Sequence, residues 1–268
     1  MFKLKSFLRL TLILFTIYVS VCLLLYFNQE SILFHPTKLP SNHQLNFERS
    51  FEEITTKTAD GASINGVLFK ADTSSGRLIF FLHGNAGNNE NQAGIADFYN
   101  GFGYDFFTMD YRGFGKSSGR ISSEEQFYAD ARLLYRTLNQ RYKNKKITII
   151  GYSVGTATAA MLASENQPNQ LILLAPYYSM EQMATHRYKV FPGFLVEYQF
   201  ETFHFLKKVQ VPITLFHGKD DGAIPYSSSK MLAGLIKKGD HFYPLEHQGH
   251  NGIESHPVFK AQIAKLLK

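Results

Sequence analysis

Hydrophobic and polar positions divide this chain into one long apolar stretch, followed by short apolar runs that alternate with amphipathic segments. From Phe7 to Phe27 almost every residue is apolar, interrupted by Arg9 and a few hydroxyl residues. As a helix that stretch runs about 30 Å, the thickness of a hydrocarbon core, and it predicts a membrane-spanning segment. Gln29 to Phe51, with Pro36 and Pro40, reads as a connector that packs partly on the domain after it. Phe51 to Thr58 and Ser63 to Phe69 flank the turn dipeptide Asp60-Gly61 and predict an antiparallel pair of strands. Arg77 to Leu82 predicts a buried strand that ends in His83-Gly84.

Beyond this point strand and helix alternate, the pattern of an α/β fold with a mostly parallel sheet covered on both faces. Strands are predicted over Tyr104 to Met109, Lys146 to Ile150, Gln170 to Ala175, Val211 to Phe216 and Asp240 to Leu245, about eight with the earlier ones. Helices are predicted over Asn91 to Asn100, Ser123 to Tyr142, Val154 to Ser164, Tyr226 to Lys237 and His256 to Leu267. In the second of these, Phe127, Ala131, Leu134 and Leu138 form an apolar stripe at helical spacing, and Ser122 with Glu125 fits a capping box. Tyr177 to Gln210 is longer than a simple crossover needs and is crowded with aromatics, which predicts a short helical lid or an enlarged crossover. The expected organisation is a cytoplasmic stub and anchor over 1–27, a connector over 28–50 and a catalytic domain over 51–268, with 177–210 as the lid.

The composition limits the partners. The apolar fraction of 44% in 268 residues suffices for a sizeable core. The formal charge of +6 comes from scattered basic residues, concentrated only at the extreme N-terminus and from Arg141 to Lys146, so no nucleic-acid footprint is present. Cys22 is the single cysteine and excludes an intrachain disulfide. Val19-Ser20-Val21-Cys22 loosely resembles a lipidation site, but Val21 is too large and the apolar run continues past Cys22. A cleaved signal peptide would have a shorter apolar core and a small-x-small site before Asn28. Lys3, Lys5 and Arg9 precede the span, while Glu30 and Lys38 are the only charges soon after it. The positive-inside rule therefore keeps the N-terminus cytoplasmic and puts the domain on the exoplasmic or periplasmic side.

The candidate chemistry centres on Gly151-Tyr152-Ser153-Val154-Gly155, which follows the apolar run Ile147-Thr148-Ile149-Ile150 and precedes a small-residue helix. A serine presented on a sharp, positive-φ turn between strand and helix needs small residues two positions to either side. The N–H of Val154, at the helix N-terminus, is then placed to donate to an oxyanion. Serine is a poor nucleophile near neutral pH and needs a histidine base oriented by a carboxylate. His217-Gly218-Lys219-Asp220-Asp221 and His247-Gln248-Gly249-His250 leave two later strands, at the sheet edge where open α/β sheets bind ligands. Spacing leaves Asp220 and Asp221 both open as the acid, whereas the glycine before His250 frees it, more than His247, to reach inward. A second oxyanion donor is expected from His83-Gly84-Asn85-Ala86-Gly87-Asn88, with Asn85 N–H first and Ala86 next. His83 precedes the serine and is expected to shape that loop. No third ligand accompanies the two late histidines, which argues against zinc.

Together with Asp110-Tyr111-Arg112-Gly113-Phe114-Gly115-Lys116-Ser117 and Ile224-Pro225, these segments resemble the α/β-hydrolase superfamily. The likeness is strongest to membrane-anchored serine hydrolases of the ABHD type and their bacterial lysophospholipase-like and serine aminopeptidase-like relatives. It covers about residues 45–268 and implies the α/β-hydrolase fold, with Asp221 as the acid, four beyond His217, and His250 as the base. Gly222-Ala223 departs from the larger residues often found after the acid. The expected activity is cleavage of a carboxylic ester or related acyl bond through an acyl-enzyme on Ser153, with oxyanion donors Asn85 and Val154 and no metal or organic cofactor. A small-molecule or lipid-like acyl substrate fits the aromatic segment. An acyltransferase, a peptidase and a non-catalytic membrane-anchored binding module are the alternatives that the same residues allow.

Overall fold

The computed structural model describes residues 2–73, 75–142 and 146–268, without the side chains of Phe2 and Lys3. The middle of the basic run from Arg141 to Lys146 therefore lies outside the described residues. Ten strands are described: β1 (His35–Pro36), β2 (Phe51–Lys57), β3 (Ser63–Phe69), β4 (Arg77–Leu82), β5 (Ala86–Gly87), β6 (Tyr104–Met109), β7 (Ile147–Tyr152), β8 (Gln170–Leu174), β9 (Ile213–Gly218) and β10 (His241–Leu245). The helices are α1 (Phe2–Phe27), α2 (Gln29–Leu33), α3 (Ala93–Asn100), α4 (Glu124–Tyr142), α5 (Gly155–Glu165), α6 (Met180–Arg187), α7 (Thr202–Leu206), α8 (Tyr226–Ala233) and α9 (Pro257–Leu266).

Eight strands form one sheet in the order β10-β9-β8-β7-β4-β6-β3-β2. The β2–β3 pair, turning at Asp60-Gly61, is antiparallel, β3 runs antiparallel to β6, and the remaining pairs are parallel. Strand periodicity splits the core in two. Leu78, Phe80 and Leu82 of β4 face one layer with Phe127, Ala131 and Leu134 of α4, while Ile79 and Phe81 face the other with Tyr99 of α3 and Phe259 and Ile263 of α9. Both faces of the central strands are thus covered, which explains why β4 and β7 read as continuous apolar runs and not as alternating ones.

Helix α4 starts one residue later than the expected capping box. Ser123 Oγ accepts from the N–H of Gln126, and the Gln126 side chain accepts from the N–H of Ser122. Glu125 turns outward to Arg132, and Glu124 instead accepts from the N–H groups of Gln199 and Phe200. The family-like segment after β6 is held by an ion network in which Arg112 and Asp130 are buried and Asp60 is exposed. Arg112 lies between Asp130, at 2.6 and 3.0 Å, and Asp60, at 2.6 and 2.9 Å.

Helix α1 is one continuous rod, exposed along most of its length, and its stretch Leu4–Phe27 is long and apolar enough to cross a membrane. The connector after it does not dangle. Strand β1 pairs with β5 in a second, two-stranded sheet, so the chain just after α2 is fastened to the loop beyond β4.

Candidate active site

Strand β4 lies at the centre of the order, and the chain steps from it to β6 on one side and then to β7 on the other. That reversal opens a crevice at the C-terminal ends of β4 and β7, the usual place for a ligand in such a sheet. Ser153 follows β7 directly, with φ of 53°, a left-handed value that costs a non-glycine residue about 1 kcal/mol or more. The glycines around it explain themselves sterically. A Cβ on Gly155 would lie 2.2 Å from the carbonyl oxygen of Leu82, and one on Gly151 would lie 2.6 Å from Cβ of Ala159. Gly155 thus lets the elbow press against the end of β4, and Gly151 lets α5 pack back onto β7. The turn is tied down by Ser153 N–H donating to Leu174 O and by Thr156 Oγ1 donating to Ser153 O.

Three expected residues come together here. His250 Nε2 is 3.1 Å from Ser153 Oγ, and His250 Nδ1 is 2.7 Å from Asp221 Oδ2. The Asp221 side chain is fully buried, whereas that of Asp220 is 65% exposed and that of His247 is 95% exposed. Burial by itself would raise the Asp221 carboxyl, but hydrogen bonds from His217 and His250 and from the N–H of Ile224 hold it well below the usual carboxylate range. The hydrogen bonds thus favour its anionic form. Its other oxygen, Oδ1, accepts from the N–H groups of Ala223 and Ile224, both at 2.8 Å. The small Gly222-Ala223 pair thus turns the loop back on the carboxylate.

Two further residues support this set. His217 is fully buried, and its Nε2 lies 3.2 Å from Asp221 Oδ2 while its Nδ1 meets Ser229 Oγ, so the aspartate is gripped by two imidazoles. Tyr152 stacks on the His250 ring at 5.4 Å and donates its hydroxyl to the backbone oxygen of His250. In the sequence His217 served only as a landmark, although its spacing of four from Asp221 was a usable signal. Tyr152 offered none, because its reach spans 98 residues of chain.

Asn85 and Val154 line the same cavity as Ser153. The backbone N–H groups of Asn85 and Val154 meet no acceptor among the described residues. The Asn85 side chain donates to Leu33 O, and Asn85 O accepts from the N–H of His35, so the connector holds this loop from behind. His83 is buried beneath it against Tyr111, with Nδ1 beside Gly84 O. Burial pushes its imidazole down to about 4, which keeps it neutral.

Two cavities meet at Ser153 and His250. The larger, about 680 Å³, is walled by Met180, Met183 and Phe191 of the crossover and by Leu25, Ile32 and Leu33 from the end of α1 and from α2. The smaller, about 310 Å³, has Asn91, Gln92, Asn251 and Glu254 beside Ile95 and Tyr152 in its wall. Burial raises the Glu254 carboxyl above its ordinary value. The crossover aromatics divide accordingly. Tyr177, Tyr198 and Phe200 are buried in the core and Tyr178 stacks on Phe203, whereas Tyr188 and Phe194 are exposed. Among the described residues no cluster of histidine, cysteine or acidic side chains is arranged to hold a metal ion.

Comparison with known proteins agrees with the fold. The sequence profile of a family described as serine aminopeptidase, S33, matches residues 73–205. The lysophosphatidylserine lipase ABHD12 of Danio rerio is 29% identical over 187 residues, which are 62% of this chain and 49% of that protein. The alpha/beta hydrolase domain-containing protein 17B of Homo sapiens is 28% identical over 227 residues, 81% of this chain and 75% of that one. Among solved structures, an esterase from Pyrococcus furiosus superposes with a TM-score of 0.69 at 16% identity, over 88% of this chain and 97% of its own.

Proposed function

The chain belongs to the α/β-hydrolase superfamily, and within it we propose a serine hydrolase that cleaves a carboxylic ester or related acyl bond through an acyl-enzyme. The observation that carries this reading is the relay from Asp221 through His250 to Ser153 Oγ, at 2.7 and 3.1 Å, on a left-handed serine that faces a cavity of about 680 Å³. In this reading His250 takes the serine proton as Oγ attacks the carbonyl carbon, and the N–H groups of Asn85 and Val154 stabilise the oxyanion. Each such donor contributes about 3 kcal/mol to the transition state. His250 then returns the proton to the leaving alcohol, thiol or amine, and water repeats the sequence to release the acid. Asp221 keeps Nδ1 protonated and Nε2 free to accept. This chemistry calls for no metal or organic cofactor.

The two cavities suggest the substrate. The wall of methionine, phenylalanine and aliphatic side chains suits an acyl chain, and the Asn91, Gln92, Asn251 and Glu254 side chains of the smaller recess can hydrogen-bond a hydrophilic leaving group. The crossover segment 177–210 acts as a lid over the acyl side, and α1 anchors the protein in a membrane with its N-terminus cytoplasmic and the domain on the exoplasmic or periplasmic side. The test is labelling with a fluorophosphonate probe. Wild-type protein is expected to label, and Ser153→Ala and His250→Ala are expected not to; labelling that survives Ser153→Ala refutes the reading.

A further inference from the structure

We propose that the tip of the 177–210 segment is immersed in the lipid leaflet that surrounds the C-terminal part of α1, so that the large cavity draws single-chain acyl esters sideways from the bilayer. The proposal rests on two readings, that α1 crosses a membrane and that Ser153 attacks acyl esters.

The depth comes from one contact. Tyr18, in the body of α1, donates its hydroxyl to Val190 O at 2.9 Å. Tyr18 precedes the end of the helix at Phe27 by nine residues, about 13 Å along the axis. The apolar stretch Leu4–Phe27 measures about 36 Å against a hydrocarbon thickness of about 30 Å. Even with all of the excess on the catalytic side, Val190 O lies about 7 Å inside the hydrocarbon boundary. The contact also gives the Tyr18 hydroxyl an acceptor, which a hydroxyl at that depth requires.

The rest of the interface keeps the same register. Cys22 packs with Phe191 and Val196, and the Gln29 side chain donates to Leu195 O and accepts from the N–H of Glu197. Tyr18, Cys22 and Leu25, at spacings of four and three, share one face of α1, and Gln29 opens the helix after it, so the segment follows α1 along its axis and does not cross it. What the tip presents outward suits lipid: Val190 is 76% exposed and Phe194 84% exposed. Arg187 and Lys189, both exposed, flank it with side chains long enough to snorkel to the headgroups. Since Leu25 is both part of the apolar stretch and part of the cavity wall, a chain leaving the leaflet passes from lipid to the cavity along α1.

The chain has no tryptophan, so one introduced indole reports its own surroundings. Full-length Leu12→Trp, Phe194→Trp and Lys260→Trp are reconstituted separately in phosphatidylcholine vesicles brominated along the acyl chains. Leu12→Trp and Phe194→Trp are expected to lose roughly half of their emission, because their indoles lie within the hydrocarbon, and Lys260→Trp on α9 to lose none. Quenching at Leu12→Trp without quenching at Phe194→Trp overturns this inference and leaves the anchor standing. A blue-shifted but unquenched Phe194→Trp means a protein contact and overturns it as well. Quenching at neither removes the anchor reading and this inference with it.

Access is tested by the double variant Val190→Asp with Phe194→Asp, which makes the tip costly to immerse. Hydrolysis of vesicle-borne lysophosphatidylcholine is expected to fall by about tenfold or more, with soluble p-nitrophenyl butyrate hydrolysed as before. Equal activity of variant and wild type on both substrates refutes lateral entry. Wild-type protein inactive on both substrates refutes the hydrolase reading instead, and the quenching experiment still decides the seat of the tip.

Discussion

Replacing Asp221 with Asn probes the relay at the point where its geometry is most demanding. In the native site Oδ1 accepts from the N–H groups of Ala223 and Ile224, and Oδ2 faces His250 Nδ1 at 2.7 Å and His217 Nε2 at 3.2 Å. An asparagine oriented to keep its oxygen on the two N–H groups turns its NH2 toward both imidazoles. The opposite flip would aim that NH2 at two backbone donors and is disfavoured. His250 Nδ1 must then accept, which moves its proton to Nε2, the atom 3.1 Å from Ser153 Oγ. A protonated Nε2 cannot receive the serine proton. The expected loss in kcat is about 10⁴, or about 5.4 kcal/mol at about 1.36 kcal/mol per decade. Turnover of p-nitrophenyl butyrate and the rate of fluorophosphonate labelling measure it, with near-UV circular dichroism to show that the fold is retained. Asp220→Asn, at an exposed side chain, is expected to stay within about twofold of the wild type. An Asp221→Asn variant within tenfold of the wild type, or an equal loss in Asp220→Asn, refutes the reasoning.

Two predictions concern stability. Arg112→Ala strands Asp130 in the interior without its partner and is expected to cost about 3–5 kcal/mol in urea unfolding, while an effect under about 1 kcal/mol would show the network to be dispensable. His83 and Asp110 set opposing pH trends. Burial holds His83 at about 4, below its unfolded value of about 6.5, so that group favours folding more as pH rises through this window. Burial raises Asp110 to about 7 despite hydrogen bonds from Asn89 and Lys116, so it favours folding less as pH rises from about 4 to 7; burial tilts Asp130 and Glu254 the same way. Each of the first two trends is on the order of 3–4 kcal/mol, so His83 offsets most of the Asp110 trend between pH 4.5 and 6.5. His83→Asn removes the compensating trend, and its melting temperature is expected to fall as pH rises across that window. A melting temperature that rises there contradicts the assignment of these two groups.

Local sequence was enough for every feature whose cause is local. Apolar runs bounded by turn residues marked the central strands β4, β6, β7 and β8, because a strand covered on both faces must be apolar throughout, while the turn at Asp60-Gly61 marked the more exposed β2. Gly151 and Gly155 marked the elbow: a Cβ on Gly151 collides with the helix that follows it, while one on Gly155 collides with Leu82 O at the end of β4. The helix cap was misread by one residue, since Ser122 and Ser123 offer the same hydroxyl and only backbone geometry selects between them.

Tertiary structure decided whatever depends on two distant segments meeting. Spacing could not choose between Asp220 and Asp221; the resemblance to a family chose Asp221, and the loop geometry then buried one side chain and exposed the other. The second imidazole on Asp221 and the tyrosine stacked on His250 arise from contacts that no periodicity encodes. Length and composition, which are properties of the sequence, announced a helix long and apolar enough to cross a membrane. That its end and the connector would wall the cavity before Ser153 was not legible, because it depends on contacts such as that of Tyr18 with Val190, 172 positions away along the chain.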